Sequence, residues 1–91
     1  MEILIRNQKY KVIKDYGDTV TSCNFDEIVT EYYNDFDYIV GDWAYGKVRL
    51  KGFYNKNNNA VKNYNNIEKV DDYIINNCAY GCKHFILEKI K

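Results

Sequence analysis

Between Tyr38 and Tyr54 the chain runs YIVGDWAYGKVRLKGFY, two alternating stretches on either side of Tyr45-Gly46. Alternation with period two demands extended strands, and the Tyr-Gly pair supplies the turn, so a hairpin of Asp37–Trp43 and Lys47–Tyr54 is predicted. Two registers are open. A two-residue turn pairs Asp42 with Arg49 and Trp43 with Val48. A three-residue turn with Gly46 in a left-handed bulge places Val40 opposite Leu50. In both, Lys47, Arg49 and Lys51 alternate with Val48 and Leu50, so the three cations share one face.

The flanking segments define the remaining elements. Glu2–Arg6 and Lys9–Lys14 predict a first hairpin turning at Asn7-Gln8, with Ile3 opposite Val12 and Ile5 opposite Tyr10. Tyr16-Gly17-Asp18 breaks the second strand. Asn24 is placed as an N-cap with Glu27 closing a capping box, and Phe25, Ile28, Val29, Tyr32 and Tyr33 form the apolar stripe of a helix of about ten residues. Cys23 and Ile28 occupy the hydrophobic-staple positions.

Asn55–Asn66 has no periodicity and little apolar surface, which predicts a mobile loop inside one domain. A second capping box, Asn65 with Glu68, starts a helix whose inward stripe is Ile67, Val70, Ile74 and Cys78, with Gly81 at its C′ position. Cys82–Ile90 forms the last strand, and its consecutive Phe85, Ile86 and Leu87 predict coverage on both faces or a central place in the sheet. The order ββαββαβ in 91 residues defines a single α+β domain, a mainly antiparallel sheet with two helices packed on it.

With both YIVGDWAYGKVRLKGFY and the terminal NNCAYGCKHFILEKI in place, the chain resembles the YutD family of small bacterial proteins. In that family a YIVGDW–YG–RLKGFY hairpin precedes a variable loop, a helix, a Cys-x-x-Gly-Cys turn and a final strand. Cys78-Ala79-Tyr80-Gly81-Cys82 matches that turn, and the first hairpin and helix agree in layout, so the likeness covers nearly the whole chain. The Asn-rich loop departs from the family pattern. The resemblance implies a cytoplasmic protein and transfers no catalytic residue.

Composition narrows the function classes. Thirteen basic and thirteen acidic residues balance, whereas a domain that binds nucleic acid through bulk charge has a pI above about 9. No apolar run is long enough to span a bilayer, no signal peptide is expected at the N-terminus, and no membrane partner is expected. Asn, Lys, Ile and Tyr all have AT-rich codons, so their abundance carries little functional weight.

Cys23, Cys78, Cys82 and His84 are numerically one Cys3His metal set, but the Cys-x-x-x-Cys-x-His spacing is not a tight knuckle. Their packing positions and odd cysteine count predict free thiols, no metal and no cofactor. One histidine leaves no ready triad, and Asp71 and Asp72 splay apart on a helix, so binding is expected rather than catalysis.

The candidate surface is the hairpin itself. Asp42, Trp43, Tyr45, Lys47, Arg49 and Lys51 combine aromatics with cations, a pattern that stacks unpaired bases while cations follow phosphates. The expected partner is RNA or a ribonucleoprotein, met by the cation-bearing face with Trp43 or Tyr45 at its tip. The alternative is a protein-docking adaptor without nucleic acid. A third reading keeps the aromatics in the core and the lysines solvated. The glycines at 41, 46 and 52 mark a bulge or a close approach by another group.

Overall fold

Five strands build one sheet in the order β1-β2-β5-β3-β4, every pairing antiparallel: β1 Glu2–Ile5, β2 Gln8–Tyr16, β3 Tyr38–Ala44, β4 Lys47–Phe53 and β5 His84–Lys89. The computed structural model describes residues 1–44, 46–77 and 82–90. The α+β arrangement follows from the sequence pattern as expected. So does the position of β5, whose Phe85, Ile86 and Leu87 are buried from both faces at the centre of the sheet.

The first hairpin turns one position earlier than predicted. Arg6 and Asn7 both adopt positive φ, 48° and 71°, so Ile3 lies opposite Tyr10 and Ile5 opposite Gln8. Asn7 tolerates the left-handed region, and Arg6, which does not favour it, is anchored there by its bonds to Asp26 and Val29. The register moves by two residues, so Ile3, Ile5, Tyr10 and Val12 still share one face and join one core cluster.

The ten-residue helix expected from Asn24 is not formed. One α-turn, α1 (Phe25–Ile28), is followed by extended Val29 and Thr30 and then a 3-10 turn over Glu31–Asp35. Arg6 explains the break. Its guanidinium donates to the carbonyls of Asp26 at 2.6 Å and Val29 at 2.9 Å, the acceptors that Thr30 and Tyr33 would need in a continuous helix. Asn24 makes no side-chain capping bond.

The second helix forms with its cap shifted by one residue. Asn66, not Asn65, accepts from the Glu68 N–H, and a 3-10 turn Ile67–Lys69 leads into α2, Val70–Asn77. The predicted continuation through Cys78 and the C′ role of Gly81 lie outside the described residues. Ile67, Val70, Tyr73 and Ile74 cover Tyr38, Val40, Phe53 and Ile86 on one face of the sheet. The other face carries Ile39, Phe85, Leu87 and Tyr10 under Val20, Phe25 and Val29.

The Asn-rich segment is pinned by its own side chains. Buried Asp37 accepts from the Asn55 N–H at 2.8 Å and the Asn58 amide at 3.0 Å. Asn55 and Asn58 accept from Asn57 and Ala60 N–H groups, and the Asn65 side-chain Oδ1 accepts from the Lys62 N–H. The Tyr54 N–H donates to Asn65 and the Tyr54 carbonyl accepts from Ile67, a parallel bridge at the end of β4.

Candidate functional site

The β3–β4 hairpin takes the two-residue register, with Asp42 opposite Arg49 and Trp43 opposite Val48; Val40 faces Lys51 rather than Leu50. Tyr45 lies outside the described residues. Period two then sorts the side chains. Lys47, Arg49 and Lys51 fall with Asp42 on the α2 side, while Trp43, Val48 and Leu50 pack against the opposite core. Trp43 is half-buried and meets Phe85 edge-on at 5.9 Å. The structure therefore does not bring the indole together with the cations it was expected to accompany.

Each cation has a different environment. Arg49 grips Asp42 with two bonds, Nε to Oδ1 at 3.1 Å and a terminal nitrogen to Oδ2 at 2.8 Å. Asp42 is 1% exposed and Arg49 47%, so the guanidinium balances a carboxylate that water does not reach. Lys51 points its ammonium at three rings, 5.2 Å from Tyr73, 5.5 Å from Tyr64 and 5.6 Å from Phe53. Lys47 is exposed.

Two of the strand glycines are under rings. A Cβ on Gly41 would lie 2.2 Å from the Phe85 ring, and one on Gly52 equally close to Phe36. The close approach signalled by glycine is thus made by the chain's own aromatics. Above Gly52, Phe36 stacks near Tyr54 at 4.8 Å and Tyr32 at 5.5 Å.

These rings form one wall of a groove of about 400 Å³ along β4. Tyr32, Tyr33 and Phe36 line one side, Ala60, Lys62 and Tyr64 the other, with Leu50–Gly52 between them. Sequence reasoning missed this site because it continued the first helix through Tyr33. The signal available was Gly52, which demanded a ring or chain above it.

Residues 4–88 match the profile of the family described as Putative antitoxin YutD-like. The chain belongs to the YutD-like family. Putative antitoxin YutD of Bacillus subtilis (strain 168) is 36% identical over 89 residues, which is 98% of this chain and 98% of that protein. The solution NMR structure of protein yutD from B. subtilis matches with a TM-score of 0.76 at 35% identity, covering 100% of this chain and 83% of that one. The α+β sheet with two helices is the fold this YutD-like chain shares with that structure.

The soft ligands of this YutD-like protein are divided by the sheet. Cys23 packs against the core under α1, where burial pushes its thiol up. His84 lies on the opposite face, stacked on Tyr16 at 5.1 Å and beside Asp42 in register. Cys23 and His84 therefore cannot share a metal, and no cluster of three ligands occurs among the described residues.

Cys78 lies outside the described residues. Cys82 is disulfide-bonded, which overturns the expectation of a free thiol there. An odd cysteine count forbids complete pairing, not a single bridge, and Cys23 is a free thiol among the described residues. His84 places Nδ1 3.0 Å from the Cys82 carbonyl, so Nδ1 donates there, and its buried Nε2 has no hydrogen-bond partner among the described residues.

Helices of the described residues are all too short to cross a membrane. Asp71 and Asp72 are both exposed on α2.

Proposed function

We propose that this YutD-like chain is a protein-docking module whose contact surface is the β3–β4 hairpin and the groove beside it. The carrying observation is the groove, an aromatic-walled channel of about 400 Å³. Aromatic anchors in a concave site supply contact area at low entropic cost, the usual basis of protein recognition. The name of the B. subtilis relative, Putative antitoxin YutD, agrees with a protein partner.

Binding of RNA or a ribonucleoprotein is the second reading. Lys51, Lys62 and the exposed Tyr64 lie along one groove, and exposed Lys47 continues the row. Against it, Arg49 is matched by Asp42, and Trp43 is turned to the other face. Catalysis has less support: Asp42 is held by Arg49, and the His84 ring bonds a backbone carbonyl rather than a neighbouring acid.

Native lysate passed over the immobilised chain, with and without nuclease, separates the readings. Docking predicts a retained protein that survives nuclease and moderate salt. RNA binding predicts loss with nuclease and an affinity that falls steeply with salt, because each phosphate contact releases counterions.

A further inference from the structure

Resting on the docking reading, we infer that the partner contributes an extended strand to the free edge of β4. The main-chain directions of the hairpin fix which groups are available. Trp43 donates to the Lys83 carbonyl, so odd residues of β3 direct their main-chain groups toward β5. Even residues of β3 therefore bond β4, and their partners there are Lys47, Arg49, Lys51 and Phe53. Val48, Leu50 and Gly52 turn their N–H and C=O groups outward, and no hydrogen bond to these groups occurs among the described residues.

The next outward residue, Tyr54, shows what this edge accepts. Its N–H and C=O are both taken by Asn65 and Ile67, an added strand one rung long. From Gly52 back to Val48 the ladder continues with nothing on it among the described residues, and Leu50–Gly52 lies in the groove. An extended guest of about five residues matches that length.

The side chains specify the guest. Residues opposite Lys47, Arg49 and Lys51 share their face, where the exposed Lys47 favours acidic side chains, Arg49 being matched by Asp42 and Lys51 lying over rings. Residues opposite Val48, Leu50 and Gly52 share the face of Phe36 and Tyr33, which selects apolar ones. The guest is therefore a strand alternating acidic and apolar residues. A second copy of β4 is the wrong occupant, since it would set lysine and arginine rows side by side. The cations thus repel self-pairing and favour the acidic guest.

The test titrates isotope-labelled protein with a short peptide alternating valine and glutamate, followed by amide shifts and hydrogen exchange. Val48, Leu50 and Gly52 amides are expected to shift and slow their exchange. The same peptide methylated on alternate amide nitrogens, which removes the ladder bonds, should bind at least about tenfold more weakly. A valine–lysine peptide should leave those amides unmoved. Leu50→Pro removes one outward N–H at an edge position that tolerates proline, and should abolish peptide binding. The methylated peptide answers the question even where Leu50→Pro fails to fold.

Edge amides unmoved at millimolar peptide, or equal binding of the methylated and unmethylated peptides, overturns strand addition. A nuclease-resistant protein retained equally by the parent and a folded Leu50→Pro chain overturns strand addition while docking stands. No protein retained by the parent chain overturns docking and, with it, this inference.

Discussion

Arg49→Ala should destabilise the fold, not merely remove a surface charge. Asp42 is 1% exposed and accepts two bonds from Arg49, so truncation strands a carboxylate where water cannot replace the guanidinium. Breaking a fully buried pair costs about 3–5 kcal/mol, and breaking an exposed one about 0–1 kcal/mol. Arg49 is 47% exposed, which places the expected loss between these limits. The estimate is about 2 kcal/mol, or roughly 8–16 °C in Tm for a domain of this size.

Circular-dichroism melts and urea titrations of the parent, Arg49→Ala and Lys47→Ala measure the difference. Lys47→Ala, at an exposed site, should stay within about 0.5 kcal/mol. Asp42→Asn combined with Arg49→Ala should cost less than the sum of the single changes, because the stranded charge is gone. An Arg49→Ala chain melting within about 2 °C of the parent refutes the pairing argument. If the argument holds, binding lost in Arg49→Ala reports a damaged hairpin as much as a lost contact.

Tyr38 donates to Glu88 Oε2 at 2.9 Å, and burial first, then that bond and the Glu88 charge, push its phenol up to about 12. The folded value exceeds the ordinary one of about 10, so this contribution to stability is complete below that pH and is lost as pH climbs toward about 12. Alkaline denaturation of the parent and Tyr38→Phe, with tyrosinate absorbance, should show the variant losing both the latest-titrating phenol and that pH dependence; identical profiles contradict it. Gly41→Ala would set a Cβ 2.2 Å from Phe85, a ring already held edge-on by Phe25 and Trp43. Overpacking of this kind should cost about 1–3 kcal/mol in urea titrations, and parent-like stability would show that the ring can yield.

How much was legible depended on whether a residue's role was local. The alternation in Tyr38–Tyr54 and the run Phe85-Ile86-Leu87 depend on pleat and burial alone, so hairpin and central strand could be read directly. The helix from Asn24 could not, because its continuation competes with Arg6, a residue far away in sequence that takes the carbonyls at 26 and 29. That competition matters for the site. It releases Tyr32 and Tyr33 from a helical stripe and lets them join Phe36 in walling the groove above Gly52.

The separation of Trp43 from the cations was available in principle. The period that aligns Lys47, Arg49 and Lys51 also sends Trp43 to the side of its partner Val48, but only once the two-residue register is fixed. What no periodicity shows is the partner of each charge. Arg49 answers a buried acid on the neighbouring strand, and Lys51 answers rings contributed by three separate segments. A row of cations counted from sequence thus overstates the field available to an incoming molecule. What remains for recognition is the part of the hairpin that the chain has left unpaired: an exposed lysine, an aromatic groove, and three residues whose backbone groups face outward. Those groups recognise a main chain before they recognise a charge, which is why docking by a strand accounts for more of this surface than phosphate binding does.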